Sequence, residues 1–368
     1  MKRTILTAAL LTSALALAGC GQVEVADAGA GTPAPGTADA TTAAAESGEI
    51  TVVDDQDREV TIDGPVERAV VTLSYNNEFV EAIGAGDRVV GVDRGTVNRV
   101  PYLGFGEEEI VGESIGELNY EAIVALDPDV AIIPRNGVWQ EAADQLEDFG
   151  IPVVVVTSWD IEVFDETIEI LGTVFGEPEG AQAVKDFHEE IVTEVATRVE
   201  GTEPVPVYWE TDQPYITALP GSGFDQVITG AGGTNVFGDI EGGDAQHEIT
   251  IDPAAVVERD PAVIVHEMPP SAEPYGQDEV AEIVAGIPAR PGWAGITAVQ
   301  DGEVYVTNGW ATSGLSKAIA TAYLASWLHP EEFADLDPAE YLERWATEFQ
   351  GVTDYPGAEA YVAAEGSQ

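Results

Sequence analysis

Apolar and polar positions along this chain fall into two alternating rhythms from residue 49 onward. "EITVVDDQDREVTI" (49–62) alternates apolar and polar positions and turns in its middle, which predicts a β-hairpin. Short continuous apolar runs follow: "RAVVTL", "RVVGV", "DVAIIP" and "IPVVVVTS". Between them lie helix-spaced segments, "NEFVEAIGAG", "NYEAIVALDP" and "VWQEAADQLEDFG". Unbroken apolar runs of this length suit parallel strands covered on both faces, and their alternation with helices predicts βαβ units.

Residues 161–200 break that rhythm. Their apolar positions recur at helical spacing with almost no strand signal, so they read as one long helix or two stacked ones, interrupted at "GEPEG" (176–180). Alternation resumes at "VPVYWE" (205–210).

Two passages occur twice. "AIVALDPDVAI" (122–132) lines up with "AVVERDPAVIV" (255–265), each a helix end, an Asp-Pro stop and a buried strand. "FVEAIGAG" (79–86) is echoed by "FDQVITGAG" (224–232), each a helix closed by glycines. Two echoes in the same order favour two similar α/β lobes. The predicted organisation is a first lobe over 49–160, a helical segment over 161–201 and a second lobe over 202–368. Ligands of open α/β sheets bind beyond the carboxyl ends of the strands, so a cleft between the lobes is the expected site.

The amino terminus belongs to none of this. "MKRTILTAALLTSALALAGC" has early cations (Lys2, Arg3), an apolar run and small residues before Cys20, which reads as a signal peptide over 1–19. Cys20 is the only cysteine, so no disulfide partner exists and the fold relies on its cores. The Ala/Gly/Thr/Pro-rich stretch 20–48 reads as a disordered tether. The chain carries 14 Lys+Arg against 67 Asp+Glu, a formal net charge of −53. Such a surface is a poor partner for nucleic acid or anionic membranes. Its acid-rich, lysine-poor balance looks like adaptation to high salt, where the Debye length is only about 3 Å at 1 M.

Side chains following each strand nominate the ligand contacts. After the first-lobe strands come Tyr75 and Asn76, then Arg94 and Arg99, then Arg135 and Trp139, then Trp159. After the second-lobe strands come Trp209 and Tyr215, then His266 with Glu267, then Trp310. Arginine pairs with anionic oxygen in a fixed fork, and aromatics cover a bulky organic ligand at low entropy cost. The competing reading for each arginine is a surface ion pair with one of the many acids.

"VVDDQDREVTIDGPVERAVVTL", "IGELNYEAIVALDPDVAII", "GWAGITAVQDGEVYVTNG" and "WLHPEEFADLDPAEYLERWATEFQG", in that order, resemble class III substrate-binding proteins of ABC importers, the iron-siderophore, haem and cobalamin carriers. The resemblance covers residues 49 to about 350. It implies an α/β fold of two Rossmann-like lobes with mostly parallel central sheets, joined by one long bridging helix over 161–201. "LAGC" (17–20) resembles a lipobox, implying lipidation of Cys20 and an extracytoplasmic anchor on the outer face of the cytoplasmic membrane, at a cell surface or in a periplasm. The implied partners are an ABC permease and its ATPase, the carrier being a monomer. Glu121 matches the family's first-lobe permease-docking position. The second-lobe position falls on Ala254, leaving Asp252 or Glu258 as substitutes.

The preferred cargo on these residues is a ferric siderophore. Haem or cobalamin, or a bare Zn or Mn ion, are the alternatives, and no resident cofactor or metal is expected. A metal-ion site would draw on His188, His247, His266 and His329, of which only His247 and His266 are well placed. A hydrolase would use Ser114 of "GESIG", but that motif needs a strand running through a sharp turn straight into a helix. A carrier without enzymatic activity is therefore expected.

Overall fold

The computed structural model describes residues 48–159, 163–240, 248–268, 275–308, 316–358 and 362–364. The leader, Cys20, nearly all of the tether, His247 and Trp310 lie outside these residues.

The hairpin forms as its alternation predicts. β1 (Glu49–Val53) and β2 (Glu59–Asp63) pair antiparallel, with Val52 opposite Val60 and Ile50 opposite Ile62. Val52, Val60 and Ile62 turn into the core. Next come β3 (Ala69–Val71), α1 (Ser74–Ala82), β4 (Val89–Asp93) and α2 (Arg94–Arg99). They are followed by β5 (Ile110–Ser114), β6 (Glu117–Leu118), α3 (Tyr120–Ala125), β7 (Val130–Ile133), α4 (Trp139–Glu147) and β8 (Val153–Val155). The first sheet runs β6-β5-β4-β3-β7-β8, parallel except for β6.

The helical stretch resolves into two helices, α5 (Phe164–Phe175) and α6 (Pro178–Val199). Gly176 closes α5 at φ 68° and Pro178 opens α6, the usual glycine-stop and proline-start pairing. Twenty-two residues make α6 about 33 Å long. Its stripe of Ala181, Val184, Phe187, Ile191 and Val195 is buried.

The second lobe comprises β9 (Val205–Glu210), β10 (Ile216–Ala218), α7 (Gly223–Gly230), β11 (Gly233–Asn235), β12 (Glu248–Thr250), α8 (Pro253–Arg259), β13 (Val263–Met268) and α9 (Gln277–Gly286). α10 (Thr297–Asp301), β14 (Val304–Asn308), α11 (Ser316–Leu328), α12 (Pro338–Arg344) and β15 (Val362–Ala364) complete it. Its sheet runs β12-β10-β9-β13-β14-β15, with β11 also on β9; β9, β11, β13 and β14 are mutually parallel where they pair. The Asp-Pro echo marks equivalent local structure in the two lobes. Asp127 and Asp260, each just before proline, adopt left-handed φ of 47° and 45° at the ends of α3 and α8.

One apolar core passes through both lobes. It joins Val71 and Phe79 of the first to Phe187 and Ile191 of α6 and to Val207 and Trp209 of the second. Separate outer cores back the first sheet (Val70, Ile133, Leu146) and the second (Tyr208, Ile264, Trp293). The chain end returns to the first lobe: Trp345 packs edge-on against Phe79, and Gln350 donates to the Glu78 carbonyl at 3.0 Å. Among the described residues no helix is long and apolar enough to cross a membrane.

Gly180 is the point where α6 meets α1, since a Cβ there would lie 2.0 Å from the Ile83 carbonyl oxygen. Gly180→Ala is expected to push the helix off that carbonyl and cost about 1–3 kcal/mol, read as a lower urea midpoint at an unchanged slope.

Candidate functional site

Strand ends of both lobes enclose a cavity of about 390 Å³. The first lobe contributes Leu73 to Tyr75, Asp93, Gly95, Arg99, Ser114, Ile115 and Trp159. The second contributes Thr211, Asp212, Phe224, Glu248 and Glu267.

Each wall is held by a buried acid gripping a residue in a left-handed conformation. On the first lobe Leu73 has φ 79°, and its N–H donates to Asp93 Oδ1 at 2.7 Å. Asp93 also caps α2, its Oδ2 accepting from the Thr96 N–H at 3.3 Å, and its Oδ1 accepts from the Thr96 hydroxyl at 2.8 Å. On the second lobe Tyr215 has φ 65°, and its N–H donates to Glu210 Oε2 at 2.8 Å. Such residues cost about 1–3 kcal/mol each, and they persist only where the surroundings over-determine them.

Glu210 is the centre of a buried network. Arg290 grips it with two bonds of 2.7 and 2.6 Å, Tyr208 donates at 2.8 Å, and His266 Nδ1 lies 2.9 Å from Oε1. The Arg290 guanidinium also lies over the Tyr215 and Trp293 rings. Burial alone would raise the carboxyl's pKa; His266 and Arg290 outweigh that and hold it at about 2.

Lys317 and Arg99 make contacts across the cleft. Lys317, at the start of α11, donates from Nζ to the Trp159 carbonyl at 2.6 Å. Gly223 leaves room for it, because a Cβ there would stand 2.3 Å from Nζ. Arg99 approaches Asp212 at 3.9 Å. Lys317 also lies over the Tyr75 and Phe224 rings, at 5.5 and 5.8 Å from their centroids.

Of the ligand contacts nominated from the sequence, Tyr75, Arg99, Trp159 and Glu267 line this cavity. The other nominated contacts that the structure describes do not line it. Arg94 starts α2 and turns into an ion-pair group with Glu113 at 2.6 Å and Glu107 at 3.0 Å. Arg135 is exposed, and its charge acts on Asp55, outside the cavity lining. Trp139 packs on the outer core beneath the Arg58 guanidinium, 4.6 Å from its ring centroid. Asn76 is fully buried and donates to the Thr72 and Val156 carbonyls, both at 3.0 Å.

Trp209 is a core residue stacked on Phe224, so it backs the wall without reaching the cavity. Tyr215 packs edge-on against Trp293, and His266 faces Glu210. The even positions of β9 and β13 point away from the cleft, which is why His266 and Glu210 meet behind it. Trp310 lies outside the described residues.

Glu267, which follows His266 at its strand end, lines the cavity, and Asp212, Phe224, Glu248 and Lys317 stand at or beside it without having been nominated from the sequence. Lys317 left a trace, as a lone lysine opening the otherwise apolar "SKAIATAYLASWL". Ser114 ends a strand that turns into β6, so the strand-to-helix elbow a serine nucleophile needs is absent there. Among the described residues no three His, Cys, Asp or Glu side chains are grouped to hold a metal. His188 stacks on Phe164 and His329 Nε2 sits 3.2 Å from the Gly232 carbonyl.

Glu267 lines the cavity at 5% exposure, and burial pushes its carboxyl from 4.5 to about 7. The raised value means the folded state retains a proton that the unfolded chain has lost. Stability is thus expected to fall as pH rises from about 4.5 to 7, and Glu267→Gln to regain about 2–3 kcal/mol at pH 8 but almost nothing at pH 4. Arg290→Met strands Glu210 without its cation, and a loss of about 3–5 kcal/mol at pH 7 is expected in chemical denaturation.

A vitamin B12-binding protein of Vibrio parahaemolyticus is 30% identical over 175 residues, which is 47% of this chain and 62% of that protein's length. An uncharacterised ABC transporter substrate-binding lipoprotein of Bacillus subtilis, YvrC, is 27% identical over 316 residues, 83% of this chain and 89% of the relative. In fold, the TroA-like periplasmic binding protein FepB of Veillonella parvula superposes with a TM-score of 0.71 at 23% identity, over 86% of this chain and 99% of that one. The sequence profile of the periplasmic binding proteins matches residues 70–309, from β3 through β14, and the chain belongs to that family.

Proposed function

We propose that this protein is the extracytoplasmic, lipid-anchored binding component of an ABC importer and that its cargo is a corrinoid of the cobalamin type. The observation that carries the choice of cargo is the chemistry of the cavity's described lining. It combines aromatic walls (Tyr75, Trp159, Phe224) with four carboxylates (Asp93, Asp212, Glu248, Glu267) and a single arginine. An anionic ferric chelate calls for converging cations. Arg94 is held by Glu107 and Glu113, Arg135 is exposed outside the cavity lining, and Arg99 and Lys317 face carboxylates and a carbonyl. A large neutral ligand rimmed with carboxamides suits a surface of acceptors and aromatic faces. A cavity of about 390 Å³ receives one edge of such a macrocycle, the remainder lying at the open mouth.

Haem fits less well. Burial drives the Tyr75 phenol well above its ordinary pKa, so it stays protonated and is a poor ligand for ferric iron. His266 is turned toward Glu210. The vitamin B12-binding relative supports the corrinoid reading without deciding it.

For permease docking, α3 and α8 occupy equivalent places in the two lobes. Glu121 is exposed in the first turn of α3, and Glu258 is exposed near the end of α8. The Asp252 carboxylate accepts from the Ala254 N–H at 2.9 Å as the helix cap, so Glu258 is the better second-lobe contact.

Tryptophan-fluorescence titration in high salt with cyanocobalamin, haemin and a ferric tricatecholate tests the cargo. Cyanocobalamin is expected to bind with a Kd on the order of 1 μM or tighter. Trp159→Ala should weaken it roughly tenfold or more, while Arg94→Ala leaves it unchanged. Tight binding of the tricatecholate, lost in Arg94→Ala, would restore the siderophore reading.

A further inference from the structure

Thr211 and Glu267 lie just past the last apolar residues of the cleft-facing side of two neighbouring strands. Along β9, Val207 and Trp209 enter the core shared by both lobes; along β13, Val263 and Val265 do the same. The intervening Tyr208, Ile264 and Met268 enter the outer core, and Glu210 meets His266 on that side. A period of two therefore brings Thr211 and Glu267 onto the cleft side. The register pairing Val265 with Trp209 and His266 with Glu210 sets them side by side one step further on.

Both residues line the cavity, at 2% and 5% exposure. Among the described residues nothing hydrogen-bonds the Thr211 hydroxyl. None hydrogen-bonds the Glu267 carboxylate either: Arg99, Asp212, Glu248 and Lys317 act on it through their charges alone. Buried polar groups are almost always partnered, and an unpaired acceptor costs the desolvation that a ligand donor would recover. The lone Thr211 hydroxyl is thus an independent sign, beside the carboxylates, that this corner is built to meet something absent from the protein itself.

We propose that Thr211 and Glu267 form a subsite for an N–H donor of the ligand, a carboxamide or an ammonium group, and that Glu267 rejects ligands presenting a carboxylate or phosphate at that position. This rests on the cleft being the ligand site, and it names the donor chemistry rather than the corrinoid. A donor held between the two residues gains a charge-assisted bond from Glu267 and occupies the Thr211 oxygen. An anionic group meets Glu267 with Asp212 and Glu248 beside it, and Arg99 and Lys317 are already drawn toward Asp212 and the Trp159 carbonyl. Sites built around a polar pairing discriminate strongly because the mismatched ligand leaves buried groups unpaired.

The groups facing Glu267 are Arg99 from α2, Tyr75 from α1, Asp212 after β9, Glu248 on β12 and Lys317 on α11. A bound N–H favours the charged form of Glu267, so binding releases a proton and affinity rises with pH from 6 to 8.

The test is isothermal titration calorimetry of the mature protein, Glu267→Gln and Thr211→Val in high salt. The probes are cyanocobalamin, a derivative with one side-chain amide hydrolysed to carboxylate, ferrioxamine B with its free ammonium, and a ferric tricatecholate. The wild-type protein is expected to prefer an amide or ammonium probe over the carboxylate and tricatecholate by roughly tenfold or more. Glu267→Gln should bring that ratio close to one, because glutamine also donates, and should abolish the proton release. Thr211→Val should weaken the amide or ammonium probe while keeping the proton release. Cooperative thermal transitions at pH 4 show that both variants fold. Ferrioxamine B binding that depends on Glu267, without cyanocobalamin binding, would keep the subsite and discard the corrinoid. An unchanged ratio and proton release in Glu267→Gln, preference for the tricatecholate, or no heat with any probe overturns the subsite.

Discussion

The structure depends on one apolar core that does not stop at a lobe boundary. Val71 and Phe79, the buried stripe of α6, and Val207 and Trp209 belong to a single packed cluster. Close-packed interiors deform little, so the distance between the facing strand ends is set from behind by packing. Phe187 illustrates the arrangement. It stacks on Phe349 at 5.0 Å, lies beneath Arg344, and so ties α6 to the returning chain end. A cleft built on such a backing suits small adjustments in preference to wide hinge motion.

The scarcity of cations explains much of the rest. Arg58, Arg88, Arg198, Arg259 and Arg344 each bind a nearby acid, mostly at the surface. Exposed pairs of this kind contribute little stability, and salt weakens them further. Arg290 differs because it is buried with Glu210 and organises the loop that presents Asp212. The most consequential cation of the second lobe therefore never touches the cavity, yet shapes its wall. Arg99 and Lys317 are the cations that reach the cleft in the described structure, and both bridge the lobes.

A cavity with more carboxylates than cations has a definite physical character. It favours donors and aromatic contact, and it makes Glu267 difficult to charge when empty. That difficulty is itself informative, since a buried acid with no hydrogen-bonding partner among the described residues carries a desolvation cost that a ligand donor would offset. On the proposed reading that donor is the ligand's N–H group.

Local chemistry made the architecture legible in the sequence. The apolar runs, the Asp-Pro stops at Asp127 and Asp260, and the glycine-proline break before Pro178 act within a few residues of themselves, so their spacing is enough to place strands, helices and the echo between lobes. The site was legible only in part: of the strand-end residues that the pattern nominates, Tyr75, Arg99, Trp159 and Glu267 line the cavity, whereas Arg94, Trp139, Trp209 and His266 face elsewhere and Phe224 lines it without a local signal. Standing at a strand end brings a residue near a cleft but does not say which way it faces. That is settled by strand parity against neighbouring strands, as between His266 and Glu267, and by where a turn ends, as with α2 beginning at Arg94 immediately after Asp93. Those directions depend on hydrogen bonds and packing between segments far apart in the chain, which no local pattern encodes.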